Sequence, residues 1–389
     1  MISVENFYFM LHQHLLKPLG IQDLLYHKFG STNLADLAIR YMETPFARDS
    51  GYVWKWPTCY FCDQEPLTEK IIYQTPLDTR RAVFKILANS EHSALKKKAI
   101  QKVEFLDWYY FFHGFAALDW FNDAQYFDQD IDWSRSFISL NRLCTGDRSY
   151  RLNLIARLVD CDIVDHGHVS LHLDTAKHGD IVLEIDSEDS QLSKSGKQLI
   201  KQNICAPMYL DHQGGTSGDL SADFGHQEFK LWKSGLWHVV TETVFYHNKL
   251  HLTEKIFKPI VAQRPFVLAA APGNLAYLRG YGFKTFDRWI DESYDDIADP
   301  DLRLQAIVNE LKRICALSQQ QLKSMHMEMQ EVLEYNFNHF FNQFKKIIVN
   351  ELVDNFETCV RIWNNGRVDD RILPLEKLNL IAIKKIFAR

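Results

Sequence analysis

The sequence has no stretch of eighteen apolar residues, so no membrane span is expected. It has no basic segment ahead of an apolar run either. Met1 to Met10 carries Glu5 and Asn6 instead, which does not read as a secretory signal. No solenoid-type repeat is present. Cysteine is scarce, scattered and odd in number at seven, which argues against a disulfide framework and for reduced thiols in a cytoplasmic protein. A basic excess is also missing. Lys and Arg number 44 against 50 Asp and Glu, and the sequence pI is about 6.2, the wrong balance for a general nucleic-acid binder. The one basic run, Lys96-Lys97-Lys98, reads as a solvated helix face.

What is present points to a packed globular chain. At 389 residues and 46% apolar content it is too long for one ordinary core and suits two domains. The aromatic share of 13% supplies large buried side chains. The modest net charge of -6 argues against disorder.

Along the chain, Phe7 to Leu19 reads as a helix stopped by Pro18 and Gly20. Short strands are expected at Val53 to Trp56, Tyr60 to Cys62 and Ala82 to Leu87. A Lys-rich helix from Ala94 to Val103 follows, then an aromatic strand from Phe105 to Phe112 that ends at a turn, His113-Gly114. The polar, acidic stretch Asn122 to Arg135 has no periodicity and is taken as the junction. Beyond it strands (Phe137 to Leu140, Val169 to Leu173, Leu236 to Phe245, Pro265 to Ala270) alternate with helices, as in a doubly wound sheet. Two long helical segments, Leu302 to Leu317 and Gln319 to Phe344, come next, and the basic amphipathic tail from Leu375 to Arg389 reads as a closing helix.

The chemistry concentrates around Thr253-Glu254-Lys255. Thr253 is a good N-cap, and Glu254 sits in the first turn, where the helix dipole favours an acid. Lys255 and Lys258 are spaced to share a helix face. A short helix start with two lysines can hold a diphosphate, and Glu254 can accept from ribose hydroxyls. The next strand, from Pro265, ends at the small-residue loop Ala271-Pro272-Gly273-Asn274, and ligands of open α/β sheets bind at such strand ends. The same pentapeptide, Leu-Thr-Glu-Lys-Ile, also stands at Leu67 to Ile71 as a plain capped helix start, so context rather than the motif alone carries the reading.

In that context the chain resembles family 10 glycosyltransferases, the α1,3/4-fucosyltransferases, and their divergent bacterial and viral relatives. The resemblance rests on Glu242 followed by Thr253-Glu254-Lys255, then Arg264-Pro265-Phe266-Val267, then Pro272-Gly273. Tyr246 is a counterpart, at shifted spacing, of an aromatic near the family's base pocket. A second match is the strand from Phe137 ending in Asn141-Arg142, followed by Arg148 and Arg151. In the family an arginine after such a strand binds the donor diphosphate, and here Arg148 and Arg151 compete for that role. A third match is Tyr60-Phe-Cys-Asp-Gln-Glu-Pro, where Glu65 or Asp63 would be the acceptor-side base. His247 to Leu252 replaces a shorter acidic segment of the family, and Lys258-Pro259 and Asp291 to Asp296 are also departures.

The resemblance implies an α/β, GT-B-like fold of two Rossmann-like domains facing across a cleft, with a C-terminal helical extension. Residues 1–130 would form the acceptor domain, 131–329 the nucleotide-sugar domain, and 330–389 a helical segment packing back on the first. The implied activity is inverting transfer of a sugar, fucose by analogy, from a GDP- or UDP-linked donor to a hydroxyl of a glycan or other acceptor. No metal or other cofactor is implied, because cations stand in for one. Two other readings stay open: a non-catalytic scaffold of the same fold, and a sugar transferase acting on modified nucleic-acid bases. His166, His168 and His172 could line one strand face as metal ligands, but they read better as a turn into a strand. Cys59 and Cys62 read as buried structural thiols.

Overall fold

The structure, a computed structural model, describes residues 4–21, 23–26, 58–67, 85–103, 105–126, 130–171, 185, 190–205, 208, 233–365 and 373–388. The expected strand at 53–56, the repeated pentapeptide beyond Leu67 and His172 lie outside the described residues. The chain is mixed α/β with two parallel four-stranded sheets, and no helix among the described residues is long and apolar enough to cross a membrane. It divides into two compact units: unit 1 is Met1–Asp119 with Gln343–Arg389, and unit 2 is Trp120–Asn342. The sequence junctions at 130 and 329 both fall inside unit 2.

Unit 1 opens with α1 (Val4–Leu11), which continues through a π turn and a 3-10 turn and stops at Gly20. Four strands follow, β1 (Asp23–Tyr26), β2 (Thr58–Cys62), β3 (Lys85–Asn89) and β4 (Leu106–Tyr109), side by side in chain order and all parallel. The two-residue period of β2 divides its side chains. Tyr60 and Cys62 join Leu87, Leu67 and Phe105 in a core closed by Leu95 and Ile100 of α2 (Ala94–Val103). Phe61 faces the other way, toward Tyr8 and Trp108.

After β4 comes α3 (Phe112–Trp120), so His113-Gly114 is not a turn but the start of a helix whose residues 112–118 are all buried. The lysine run is also corrected in part. Lys97 and Lys98 are exposed, but Lys96 is 3% exposed and pairs with Asp107 at 3.2 Å.

Unit 2 contains β5 (Arg135–Asn141), α4 (Tyr150–Asp160), β6 (Gly167–Leu171), α5 (Lys194–Asn203), β7 (Gly235–Thr241), α6 (Phe257–Val261), β8 (Phe266–Ala269), α7 (Asn274–Gly280), α8 (Pro300–Cys315) and α9 (Gln319–His339). Every residue of β7 and β8 is buried, the pattern of parallel strands covered on both faces. The helices start where their caps dictate. Asp299 accepts from Leu302 N–H ahead of Pro300, and Ser318 and Gln321 form a capping box. The strand order is β8-β7-β5-β6. From β5 the chain runs through α4 to β6 on one side, then returns to β7 on the other. The C-terminal ends of β5 and β7 are therefore a topological switch point, where chain leaves the sheet in opposite directions, the place where ligands of such sheets bind.

The chain then re-enters unit 1 as α10 (Lys345–Asn365) and α11 (Leu380–Ala388), with α10 packed along β4.

Candidate functional site

Residues of two of the three matches, around Asn141 and around Glu242 and Thr253, come together at that switch point. Thr241, at the tip of β7, donates from Oγ1 to Asn141 Oδ1 at the tip of β5, 3.1 Å away. Asn141 is fully buried, and its amide donates to Ser139 Oγ at 3.0 Å. Its side chain thus aligns the two strand ends and leaves the next residues, Arg142 to Ser149, to form one lip of the switch point. Gly146 in this lip has φ 56°, a left-handed conformation that glycine adopts without strain. A 3-10 turn, Gly146–Arg148, leads into α4, the longest helix that begins beside the switch point.

The two competing arginines separate here. Arg151 is 3% exposed. Its guanidinium donates to the carbonyls of Leu143 (2.8 Å), Thr241 (2.8 Å) and Glu242 (3.2 Å), stitching the two strand exits together. Arg148 and Arg142 are half-buried in the lip itself.

The opposite lip is built on Glu242. Its buried carboxylate accepts from Thr253 N–H (3.1 Å), Thr253 Oγ1 (2.6 Å) and Thr243 N–H (3.3 Å). This anchors the start of the 254–256 turn against the end of β7. Thr253 is also the N-cap. Lys255 Nζ donates to Thr253 Oγ1 (3.0 Å), Thr243 Oγ1 (3.5 Å) and Glu254 Oε1 (3.3 Å), with 32% of its side chain exposed. Its ammonium is therefore fixed beside the strand end while one side still meets solvent. Glu254 is buried, and Lys258 lies 5.9 Å from the Phe121 ring centroid.

Two contacts tie the lips together. Tyr246 and Ser149 share a hydrogen bond of 3.1 Å, and His247 approaches Asp147 to 3.3 Å. The hydrogen bond from His247 holds the Asp147 carboxyl below the usual range, and burial pushes the Tyr246 phenol up. Under the lip, Phe245 is sandwiched between Tyr150 (4.1 Å, 11° between planes) and the guanidinium of buried Arg303 (4.1 Å). Asn274 pins residues 249–251, accepting from His251 N–H (3.0 Å) and donating to Lys249 carbonyl (3.0 Å). Gly273 just before it takes φ 83°. Sequence reasoning passed over Thr243, Asp147, His247 and Asn274. Only the N-cap position of Thr253 hinted at this network.

The switch point thus carries the half-exposed Lys255 ammonium beside strand and helix ends, and the half-buried Arg142 and Arg148 follow β5 directly in the chain. Such an arrangement stabilises an anion and meets negative charge as it develops.

In unit 1, the acceptor-side candidates part in the same way. Asp63 is 1% exposed. One oxygen accepts from Tyr8 Oη at 3.0 Å, and the other from Tyr110 Oη. Burial is the main cause that pushes its carboxyl up to about 6, against the opposing pull of the two tyrosines. Glu65 is half-buried on the loop beyond. Nearby, His113 contacts Gln64 carbonyl at 2.9 Å, and Glu91 accepts from Leu67 N–H at 2.7 Å. These buried polar groups hold the loop that carries Glu65.

The histidine set considered as metal ligands is not fully described, because His172 lies outside the described residues. Among the described residues no three His, Cys, Asp or Glu side chains are grouped to hold a metal. Cys59 and Cys62 are buried thiols. The acidic turn is structural at two of its members. Glu292 accepts from Thr285 Oγ1 (2.7 Å) and Phe286 N–H (2.6 Å), and Asp295 caps α7 through Leu275 N–H (3.0 Å). Compared with known proteins, the chain matches no family model, no curated protein and no solved structure.

Proposed function

We propose that the chain is an inverting glycosyltransferase of the GT-B kind, related to the family 10 fucosyltransferases, that takes its sugar from a nucleoside diphosphate. One observation carries the reading. Asn141, Glu242, Thr253 and Lys255, far apart in sequence, are linked through Thr241 and the strand ends at the switch point of a parallel sheet. The parallel sheet in each unit supports the GT-B assignment.

In this reading Arg148, Arg142 and Lys255 neutralise the diphosphate, while Arg151 and Glu242 act as positioning residues that fix the two lips. Glu254 or Tyr246 meets the nucleoside. As the acceptor oxygen bonds to the anomeric carbon, its proton passes to a carboxylate. The bond from that carbon to the phosphate oxygen breaks, and its electron pair leaves with the diphosphate. Of the two carboxylates considered, Glu65 suits this role, since both Asp63 oxygens are engaged by tyrosines.

The test is thermal denaturation of wild type and Lys255→Ala with GDP, UDP, CMP, ADP and their sugars. A ligand bound only by the native state raises the melting temperature. A shift with GDP or UDP that Lys255→Ala abolishes, without an equal loss of intrinsic stability, supports the donor site. Absence of any shift at millimolar concentration sinks it. A shift without any sugar transfer or donor hydrolysis would favour the scaffold reading, which the burial of Asp63 keeps open.

A further inference from the structure

The start of α4 is fastened to the chain that leaves β7. Ser149 and Tyr246 share a hydrogen bond of 3.1 Å, Tyr150 Oη donates to the Glu242 carbonyl at 2.6 Å, and Arg151 donates to the Thr241 and Glu242 carbonyls at 2.8 and 3.2 Å. Ser149, Tyr150 and Arg151 are all buried, so this part of the lip is a fixed frame.

Asp147, two residues ahead of the frame, is held differently. Its Oδ1 lies 3.3 Å from His247 Nε2, and the Asp147 and His247 side chains are 41% and 44% exposed. An ion pair this exposed is screened by water and salt and adds little stability. Gly146 before it takes φ 56° and has nothing within 4 Å of the place where a Cβ would stand, so that side of the turn is unpacked. The carboxylate can therefore turn aside while Ser149, Tyr150 and Arg151 stay in place.

The surroundings of this carboxylate are basic. The His247 hydrogen bond does most to hold the Asp147 carboxyl below its ordinary range. Burial opposes it, and the charges of His247, Lys249 and Arg148 add to it. Arg148 follows β5, while His247 and Lys249 follow β7, so three basic side chains from both strand exits act on one carboxylate. Lys249 is 6% exposed, and Asn274 Nδ2 holds its carbonyl at 3.0 Å, so its backbone stays in place when Asp147 moves. A carboxylate offers such groups one charge and two oxygens. A phosphate group offers about two charges and three oxygens, and a diphosphate offers more. An anion of that class outcompetes a screened carboxylate for the same donors.

We propose that Asp147 is a built-in counter-anion of the switch point: a diphosphate, free or carried on a nucleotide, displaces its carboxylate and takes His247, Lys249 and Arg148 as partners. The inference deepens the donor reading and rests on its anion site, to which it adds His247 and Lys249 as ligand-binding residues. Asp147 then sets a threshold on affinity, since only an anion of higher charge takes its place.

Isothermal titration calorimetry of the full chain in about 0.15 M salt, with inorganic pyrophosphate, GDP and UDP as probes, tests it. Asp147→Asn keeps the size of the side chain and removes its charge. It should bind the probes about threefold to tenfold more tightly, the effect of one unit charge removed several Å from an anion near the surface. Asp147→Ser, which removes the charge with a different side chain, should do the same. His247→Gln should weaken binding about threefold or more. Asp160→Asn makes the same change in net charge at the far end of α4, an 11-residue helix about 16 Å long, beyond the screening length of about 8 Å. It should bind like wild type. Unchanged or weaker binding by Asp147→Asn or Asp147→Ser overturns the proposal. So does equal tightening by Asp160→Asn, unchanged binding by His247→Gln, or no binding of any probe. Two results separate it from the donor reading. Nucleotide binding that Lys255→Ala abolishes and Asp147→Asn leaves unchanged overturns this proposal alone. Pyrophosphate binding that Asp147→Asn tightens, with no nucleotide bound, supports this proposal and removes the donor reading.

Discussion

Arg148 and Arg151 lie one helical turn apart and answer to different constraints. Arg151 is a buried cation whose charge is met by three carbonyl oxygens. Removing it strands those acceptors at the junction of two strands, and Arg151→Ala should cost about 3 kcal/mol in urea denaturation. Arg148→Ala should leave stability within about 0.5 kcal/mol and act on nucleotide-induced stabilisation instead. Residue type and spacing left the two equal in the sequence. The carbonyls that distinguish them come from β7, remote in sequence.

Asp63 makes a prediction in pH. Its carboxyl titrates near 6 in the folded chain, against about 3.9 for an ordinary aspartate. Between these values the folded state keeps a proton that the unfolded chain has released. The associated stability is therefore full below about pH 4 and lost as pH rises through 6, by up to about 3 kcal/mol. Asp295, raised to about 6 mainly by burial, acts in the same direction. Asp63→Asn should flatten the fall in melting temperature between pH 4 and 6.5 without abolishing it. An unchanged slope would remove Asp63 as its source.

At the scale of elements, the edge of the unit 1 sheet is closed by a helix. The carbonyls of β4 that have no strand partner are taken by α10: Asn355 Nδ2 reaches Tyr109 O at 2.9 Å, and Cys359 Sγ reaches Asp107 O at 2.8 Å. Trp108 Nε1 returns a bond to Leu352 O at 3.0 Å. This covers an edge that would otherwise pair with another chain. Asn355→Leu should cost about 1–2 kcal/mol and speed amide exchange in β4.

Elements with one wet face were legible in sequence. The helix expected over Ala94 to Val103 spans those residues. By contrast α3 escaped, because Phe112 to Leu118 is buried on every side and shows no apolar stripe. Lys96 misled for the opposite reason. Its neighbours in the run are solvated, and only the arrival of Asp107 and Asn89 gives its ammonium a buried partner.

At the scale of the whole molecule, sequence alternation indicated parallel sheets but not their strand order, which depends on which side of β5 the returning strand adds. The candidate residues were therefore visible as a set, while their meeting place was not. The boundaries were less legible than the return of the C-terminal segment: unit 2 runs to Asn342, past 329, and the break between α9 and α10 is only a π turn. Deleting residues 343–389 should unfold unit 1, with loss of its near-UV signal, because α10 is part of that unit's own core. A native-like signal from the remaining part of unit 1 would show that the edge closes without it.

The return of α10 also sets an order for birth on the ribosome. Unit 1 is begun first, yet its edge strand stays uncovered until everything from Trp120 to Asn342 has been synthesised. At the usual rate of about 5–20 residues per second, that interval is on the order of ten seconds or more. The later-born unit can complete its fold while the earlier one still presents an open sheet edge, so a newly made chain should need chaperone cover at its beginning rather than at its end.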